Sequence, residues 1–347
     1  MLANNVILTD NLAETLSELF RTHSFSQIGV VVDEHTEQDC YPIIQHLLPD
    51  HTVCTISSGE QNKHLGTCTR LWELMTEARF DRQALLINLG GGVIGDMGGF
   101  CAATYKRGIR FVNLPTTLLS QVDASVGGKL GIDFQGYKNH IGLFQEPLQI
   151  IIDPKFLNTL PPQELRSGYA EVIKHSLIAD ASYWPTVRRA EWDQQNWAEI
   201  IAHSVRIKSE VVAQDFREGG LRKILNFGHT IGHAVESFYL ETDRRLLHGE
   251  AIAVGMIAEA YLSTQRTGLP ALQAQEVTDF LLAVYGYHSM PEANLSAIVE
   301  LAKQDKKNDQ SVIKCTLLER IGTATYDIPI TTDDIYEALM HYSELRQ

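Results

Sequence analysis

Across its first half the chain alternates two hydrophobic periods, and that alternation leaves few folds open to it. A helical pattern opens at Asp10 and recurs over Thr36 to Leu48 and Asn62 to Arg79, while strand patterns occupy Ile28 to Val32, Thr52 to Ile56 and Ala84 to Leu89. Strands separated by helices in this way make a parallel sheet covered on both faces. Arg110 to Leu114 and Leu148 to Ile152 extend the sheet, and the Pro161-Pro162 pair then marks a boundary. Beyond it the period is helical, over Gln163 to Ala179, Trp197 to Gln214, Thr230 to Tyr239, Glu250 to Arg266 and Ala271 to Tyr285. We therefore expect an α/β domain with a parallel sheet over residues 1–160 and a mostly α-helical domain over 161–347.

Directly after the strand Ala84 to Leu89 stands Gly90-Gly91-Gly92-Val93-Ile94-Gly95-Asp96, which has the spacing G-x-G-x-x-G at Gly90, Gly92 and Gly95. Between a strand and a helix, such glycines let bare backbone amides approach a pyrophosphate. Glycines that only permit a tight turn produce the same string. The usual fingerprint also carries an Asp or Glu about 20 residues downstream for the ribose, and Tyr105 to Leu119 contains neither. The available acid lies upstream, where Ile28 to Val32 runs into Asp33-Glu34. The expected fold is thus Rossmann-like, with its ribose contact on an earlier strand. The polar loop Ser58-Gly59-Glu60-Gln61-Asn62-Lys63 and the hydroxyls of Thr116 and Thr117 are further candidate phosphate and ribose contacts, to be set against plain turn and capping chemistry.

The helical half carries Asn226-Phe227-Gly228-His229-Thr230-Ile231-Gly232-His233 and His248-Gly249-Glu250. His229 and His233 share a helical face at the spacing of two-histidine zinc sites, although the zincin pattern fails because Thr230, not Glu, follows His229. A histidine pair alone is more often surface or satisfied core. A third donor is Glu171, in Gly168 to Lys174, where an acid and a base interrupt an apolar helix; the alternative is an exposed Glu171 paired with Lys174 one turn on. Two His and one Glu would leave an open coordination position for a Lewis-acidic ion. Beside NAD, such a site implies alcohol oxidation.

Composition narrows the partners. The net charge of −14 over 347 residues argues against nucleic acid and anionic membrane surfaces, which need an outward basic field. The most apolar stretch, Ala251 to Leu262, is short for a bilayer and carries Glu259, so we expect a buried helix. No secretory signal is visible at the start, and the 5 scattered cysteines lack metal-ligand spacing, which fits a cytoplasmic protein.

In order along the chain, Ser58 to Lys63, Gly90 to Asp96, Arg107-Gly108, Pro115 to Asp123, Gly127-Gly128-Lys129, Lys138-Asn139, Ala170 to Lys174, Leu225 to His233 and His248-Gly249-Glu250 resemble the dehydroquinate synthase family. The resemblance implies metal ligands Glu171, His229 and His248, with zinc or cobalt as the ion. His233 is then left for proton transfer and substrate contact, which revises the bare pairing of His229 with His233. It implies NAD held by Asp33, by Ser58, Gly59, Glu60, Gln61, Asn62 and Lys63, by Gly92, Val93, Ile94, Gly95 and Asp96, by Thr116, Thr117, Lys129 and Lys138, and by Phe156, Leu157, Asn158 and Thr159. Lys129, Asn139 and Lys306 or Lys307 would receive a substrate phosphate; Lys208, Arg222 and Asn226 would receive a carboxylate and hydroxyls; Asp123 and Lys174 would complete the catalytic set. Arg107 resembles a residue that reaches the phosphate from a neighbouring subunit, which implies a homodimer. Taken without the family, most of these basic residues would be solvated surface charge.

The reaction so implied belongs to the shikimate pathway of aromatic amino acid biosynthesis. A secondary alcohol of 3-deoxy-D-arabino-heptulosonate 7-phosphate is transiently oxidised with NAD as acceptor, phosphate leaves by β-elimination, the hydride returns, and an intramolecular aldol step closes 3-dehydroquinate. Two rivals share the machinery in part: a cyclase making a valiolone or an inosose from a substrate without the carboxylate, and a metal-dependent alcohol or glycerol dehydrogenase that would release NADH. A non-catalytic NAD sensor would have no use for Glu171, His229 and His248 together.

Overall fold

The structure is a computed structural model that describes residues 3–135, 137–189, 191–240, 242–303 and 312–345. Its strands are β1 (Val6–Leu8), β2 (Ile28–Asp33), β3 (Thr52–Ile56), β4 (Leu85–Gly90), β5 (Arg110–Pro115), β6 (Lys129–Phe134), β7 (Tyr137–Phe144), β8 (Gln149–Ile152), β9 (Ile313–Arg320) and β10 (Thr323–Ile330). The helices are α1 (Leu12–Thr22), α2 (Glu34–Asp39), α3 (Tyr41–Ile44), α4 (Leu65–Glu77), α5 (Gly92–Thr104), α6 (Pro162–Ala179), α7 (Trp184–Val187), α8 (Trp197–Gln214), α9 (His229–Tyr239), α10 (His248–Arg266), α11 (Ala271–Tyr285), α12 (Glu292–Lys303) and α13 (Thr332–Glu344).

A 6-stranded sheet runs in the order β1-β8-β5-β4-β2-β3, and every pairing in it is parallel. The Rossmann-like α/β architecture expected from the alternation is therefore present, followed by helices. Strand side chains alternate between two cores: Val31 and Leu86 pack with Leu71 and Phe100, whereas Val30, Val32, Leu85 and Ile87 pack with Leu16 and Ile44. The strand order reverses between β2 and β4, so the crevice beyond their C-terminal ends is where an open α/β sheet binds its ligands. Asp33 ends β2 and Gly90 ends β4, which brings both nucleotide candidates to that edge.

Several sequence expectations need correction. The single helix over Thr36 to Leu48 is instead α2, α3 and a 3-10 turn, because the chain kinks at Cys40 and Pro42 can only open a new helix. The helix expected from Asn62 begins at Leu65, after a 3-10 turn over Glu60–Asn62. The hairpins β6–β7 and β9–β10 were not legible, and the second places an antiparallel pair within the helical half. The chain divides into two compact units, Met1–Leu165 with Trp197–Glu210 and Arg166–Asn196 with Val211–Gln347. Among the described residues no helix is long and apolar enough to cross a membrane, and Ala251 to Leu262 lies buried in α10 as expected.

Close packing of α5 on the sheet depends on glycine. A Cβ at Gly98 would lie 2.1 Å from Oδ1 of Asn88, whose side chain is buried and donates to Asn113 on the next strand at 2.9 Å. Gly98→Ala therefore overpacks the α5–β4 contact and is expected to cost about 1–3 kcal/mol in denaturant unfolding. An unchanged midpoint would show that the helix shifts freely.

Candidate active site

In the unit built around α9 and α10, Glu171 sits in the middle of α6, His229 is the first residue of α9, and His248 is the first residue of α10. Their candidate ligand atoms all lie within 4.8 Å of one another. Nε2 of His229 and Nε2 of His248 each lie 3.5 Å from the same oxygen, Oε1 of Glu171. The outer edges of the rings are also engaged: Nδ1 of His229 is 3.1 Å from the carbonyl of Phe227, and Nδ1 of His248 is 3.4 Å from Oε2 of Glu236. Glu171 is fully buried, and Oε2 is ion-paired with the equally buried Lys174. The exposed Glu171–Lys174 pair weighed from the sequence is therefore not what forms.

Charge in this cluster follows from burial and neighbours. Desolvation, then the Lys174 ammonium, hold His229 well below the usual histidine range. Burial also opposes charge on His248, but Glu236 and then Glu171 outweigh it and lift its pKa to about 9. Two buried carboxylates around three imidazoles thus draw positive charge to one point, which is the environment a divalent cation fits. His233 stands beside the pair, its ring 5.0 Å from that of His229 and 5.9 Å from that of His248.

The three helices are held by backbone contact beside each ligand. Gly228, at φ +82°, precedes His229, and a Cβ at Gly255 on α10 would lie 1.9 Å from the Gly228 carbonyl. A Cβ at Gly249 would lie 1.9 Å from the carbonyl of Ser167 on α6, and Gly249 N donates to Ser167 Oγ at 2.9 Å. Glu259, fully buried on α10, accepts from Gly228 N at 2.6 Å and Ile231 N at 3.1 Å, and so caps the start of α9. Glu250 accepts from Leu247 N at 2.9 Å and pairs with Arg166 of α6 at 2.6 Å.

In the sheet-bearing unit, Gly91 caps α5 and offers no side-chain acceptor to the first-turn amides of Gly92, Val93 and Ile94. Gly92, Gly95, Asp96 and Lys129 line a small cavity there. Asp33 accepts from His35 N and Thr36 N, at 3.1 and 2.8 Å, as the N-cap of α2. Ser58 donates to Glu34 through N and Oγ, at 2.9 and 2.7 Å, which fixes the loop containing Gly59, Glu60, Gln61 and Asn62. Lys63 is buried, and its ammonium bonds Asp96 and Asn139, both at 2.7 Å. Thr116 N donates to Gly90 O, Thr117 Oγ1 bonds Ser120, and Phe156, Leu157, Asn158 and Thr159 form a 3-10 turn after β8. Lys208 is buried against Asp123, 2.8 Å from its carboxylate and 2.6 Å from its carbonyl. Lys129, Lys138 and Asn139 lie on the β6–β7 hairpin, and Arg107 is exposed at φ +69°.

Arg222 is 1% exposed, its Nη1 donating to the Phe216 carbonyl at 2.6 Å. Asn226, on the same 3-10 turn, donates to Glu218 at 2.7 Å. Lys306 and Lys307 lie outside the described residues. Sequence reasoning missed Glu236, although His229, His233 and Glu236 recur at positions i, i+4 and i+7 of one helix, a pattern that puts all three on one face.

A Rossmann-like sheet followed by a helical unit with a buried two-histidine, one-glutamate cluster defines the general class, an α/β scaffold that carries a candidate metal centre. Residues 53–167 match the 3-dehydroquinate synthase N-terminal family, and residues 168–308 match the 3-dehydroquinate synthase C-terminal family. The chain is 36% identical to the 3-dehydroquinate synthase of Parabacteroides distasonis over 99% of both chains, and 43% identical to that of Halorhodospira halophila over 82% of both. Among solved structures it is similar to the 2-epi-5-epi-valiolone synthase of Streptomyces hygroscopicus with NAD+ and Zn2+ bound, at 25% identity and a TM-score of 0.87, covering 99% of this chain and 98% of that one. The chain belongs to the 3-dehydroquinate synthase family.

Because Glu259 is buried and accepts two amides at the start of α9, Glu259→Gln leaves one donor facing another. We expect a loss of about 1–3 kcal/mol in chemical denaturation. Wild-type stability in that variant would show the cap to be dispensable.

Proposed function

We propose that the chain catalyses the cyclisation of 3-deoxy-D-arabino-heptulosonate 7-phosphate to 3-dehydroquinate with release of phosphate, as an NAD- and divalent-metal-dependent lyase of the shikimate pathway. The observation that carries the reading is the convergence of Glu171, His229 and His248 in a chain of this family. When bound, NAD supplies reversible hydride acceptance and a zinc or cobalt ion supplies Lewis acidity toward a substrate hydroxyl. Glu171, His229 and His248 would hold the ion. The α5 amides, Asp33, the Ser58 to Lys63 loop, Thr116, Thr117, Lys138 and the turn Phe156 to Thr159 would hold NAD in the domain assigned to residues 1–160.

Lys129, Asn139 and Lys306 receive the substrate phosphate in this reading, and Arg107 reaches it from a second subunit of a homodimer. Lys208, Arg222 and Asn226 receive the carboxylate and hydroxyls, Lys174 holds the metal-binding carboxylate in place, and Asp123 orients Lys208. His233, beside His229, moves a proton at the reacting alcohol. Burial of Lys208 and Arg222 supports these roles, since cations removed from water bind an anion more strongly and are already oriented. All 5 cysteines are buried and none forms a disulfide, which supports a cytoplasmic setting.

The decisive experiment follows phosphate release and NADH absorbance together. Phosphate should appear continuously from the heptulosonate phosphate with catalytic NAD and no net NADH; stoichiometric NADH would make the chain a dehydrogenase instead.

Arg222 separates the cyclases. A guanidinium grips a carboxylate through two parallel bonds, whereas an ammonium offers a point charge. Breaking one half of a buried charge pair costs roughly 2–5 kcal/mol, and tenfold corresponds to about 1.4 kcal/mol. Arg222→Ala should therefore lose a hundredfold or more in kcat/KM, and Arg222→Lys should already be impaired. Sedoheptulose 7-phosphate, which lacks the carboxylate, should be a poor substrate; efficient cyclisation of it with a nearly neutral Arg222→Ala would assign the valiolone-type reaction.

A further inference from the structure

His248 belongs to two possible donor sets, Glu171 with His229 and His248, and His233 with Glu236 and His248. An imidazole has one nitrogen on each edge, and here the two edges face different carboxylates. Nε2 approaches Glu171 Oε1 at 3.5 Å, the oxygen that His229 Nε2 also approaches, while Nδ1 approaches Glu236 Oε2 at 3.4 Å. His229 repeats the arrangement, with Nε2 toward Glu171 and Nδ1 toward the Phe227 carbonyl at 3.1 Å. Both rings therefore point Nε2 at one oxygen and Nδ1 at an acceptor outside the cluster. Glu236 is 7% exposed, and it sits two turns after His229 on α9, so the helix that carries one ligand also braces the other.

We propose that Glu236 is a positioning residue of the metal centre: its carboxylate accepts the Nδ1–H of His248, which leaves Nε2 bare and aimed at the ion, and Glu236 itself does not bind the metal. The inference rests on Glu171, His229 and His248 being the ligands. Were Glu236 and His233 the ligands instead, Nδ1 of His248 would bind the ion and its Nε2 edge would be left against the buried Glu171 carboxylate. An acceptor on the far nitrogen fixes the tautomer and the ring, and an anionic acceptor also raises the basicity of the donating nitrogen. His229, braced by a neutral carbonyl, gains the first effect without the second.

The test is equilibrium competition for Zn2+ between the metal-free protein and a chromophoric chelator, with the unfolding midpoint of each metal-free variant measured alongside. Glu236→Leu should bind one zinc about 10- to 100-fold more weakly than the wild type. Glu236→Gln should fall between the two, because its amide oxygen still accepts the Nδ1–H but carries no charge. With Co2+ in place of Zn2+, the visible spectrum of the Gln variant should match the wild type and that of the Leu variant should shift. If Glu236→Leu does not fold, Glu236→Ala takes its place in the ranking. Zinc affinity of the Leu or Ala variant within about twofold of the wild type, or a Gln variant no better than Leu, overturns the proposal. So does a second zinc bound by the wild type and lost on removing Glu236, which would make it a ligand. His248→Ala tests the underlying ligand assignment: undiminished zinc binding there would remove His248 from the metal centre, a different failure from any result at Glu236.

Discussion

The candidate metal centre depends on two backbone approaches too close for any side chain. Gly255 of α10 passes against the carbonyl of Gly228, and Gly249 of α10 passes against the carbonyl of Ser167 on α6. Each contact lies within a few residues of a donor: Gly228 precedes His229, Gly249 follows His248, and Ser167 lies one turn before Glu171. Donors separated by 58 and 19 residues in sequence (171 to 229, 229 to 248) therefore converge because three helices are pinned next to the donors, not at their distant ends. A methyl group at either glycine would have to move backbone rather than a flexible side chain, and interiors packed this densely do not give by that much locally.

An acidic chain can still bury cations, provided that each is given a partner. The chain carries a net charge of −14, yet Lys63, Lys174, Lys208 and Arg222 are each at most 6% exposed. The three lysines lie against Asp96, Glu171 and Asp123, and the backbone of Arg222 is held by Asp215. Ion pairs buried in this way add little to stability compared with apolar packing, since desolvation offsets the attraction. What the pairing does provide is orientation, since each lysine ammonium is held at a fixed place.

The sequence made the repeating elements legible and left the singular ones obscure. Trp197 to Gln214 and Ala271 to Tyr285 could be read to the residue because a long apolar stripe at period 3.6 admits no other element. β6–β7 could not, since Lys129–Phe134 mixes glycine, charge and apolar residues, and most of β7 stays exposed, so little burial imposes a pattern. At the site, the motif string around His229 was visible, but not which of its neighbours lay near His248, because that proximity is made by helix packing and leaves no period. Composition pointed the wrong way for Lys174, Lys208 and Arg222, which charge alone would have put in solvent.

Placing both histidines at helix starts creates an electrostatic problem that the surrounding acids resolve. The first turn of a helix presents unpaired amides and about half a positive charge, which disfavours a cation beside it. α9 and α10 both begin at a histidine donor, so two such ends flank the cluster. Glu259 takes the amides of Gly228 and Ile231 at the start of α9, and Glu250 takes the amide of Leu247 at the start of α10. These carboxylates satisfy the helix ends themselves, and Glu250 also ties its end to Arg166 of α6. Glu171 and Glu236 are then not consumed in offsetting the helices and can draw a cation to the histidines, which explains why an apolar helix such as α10 buries Glu259 completely.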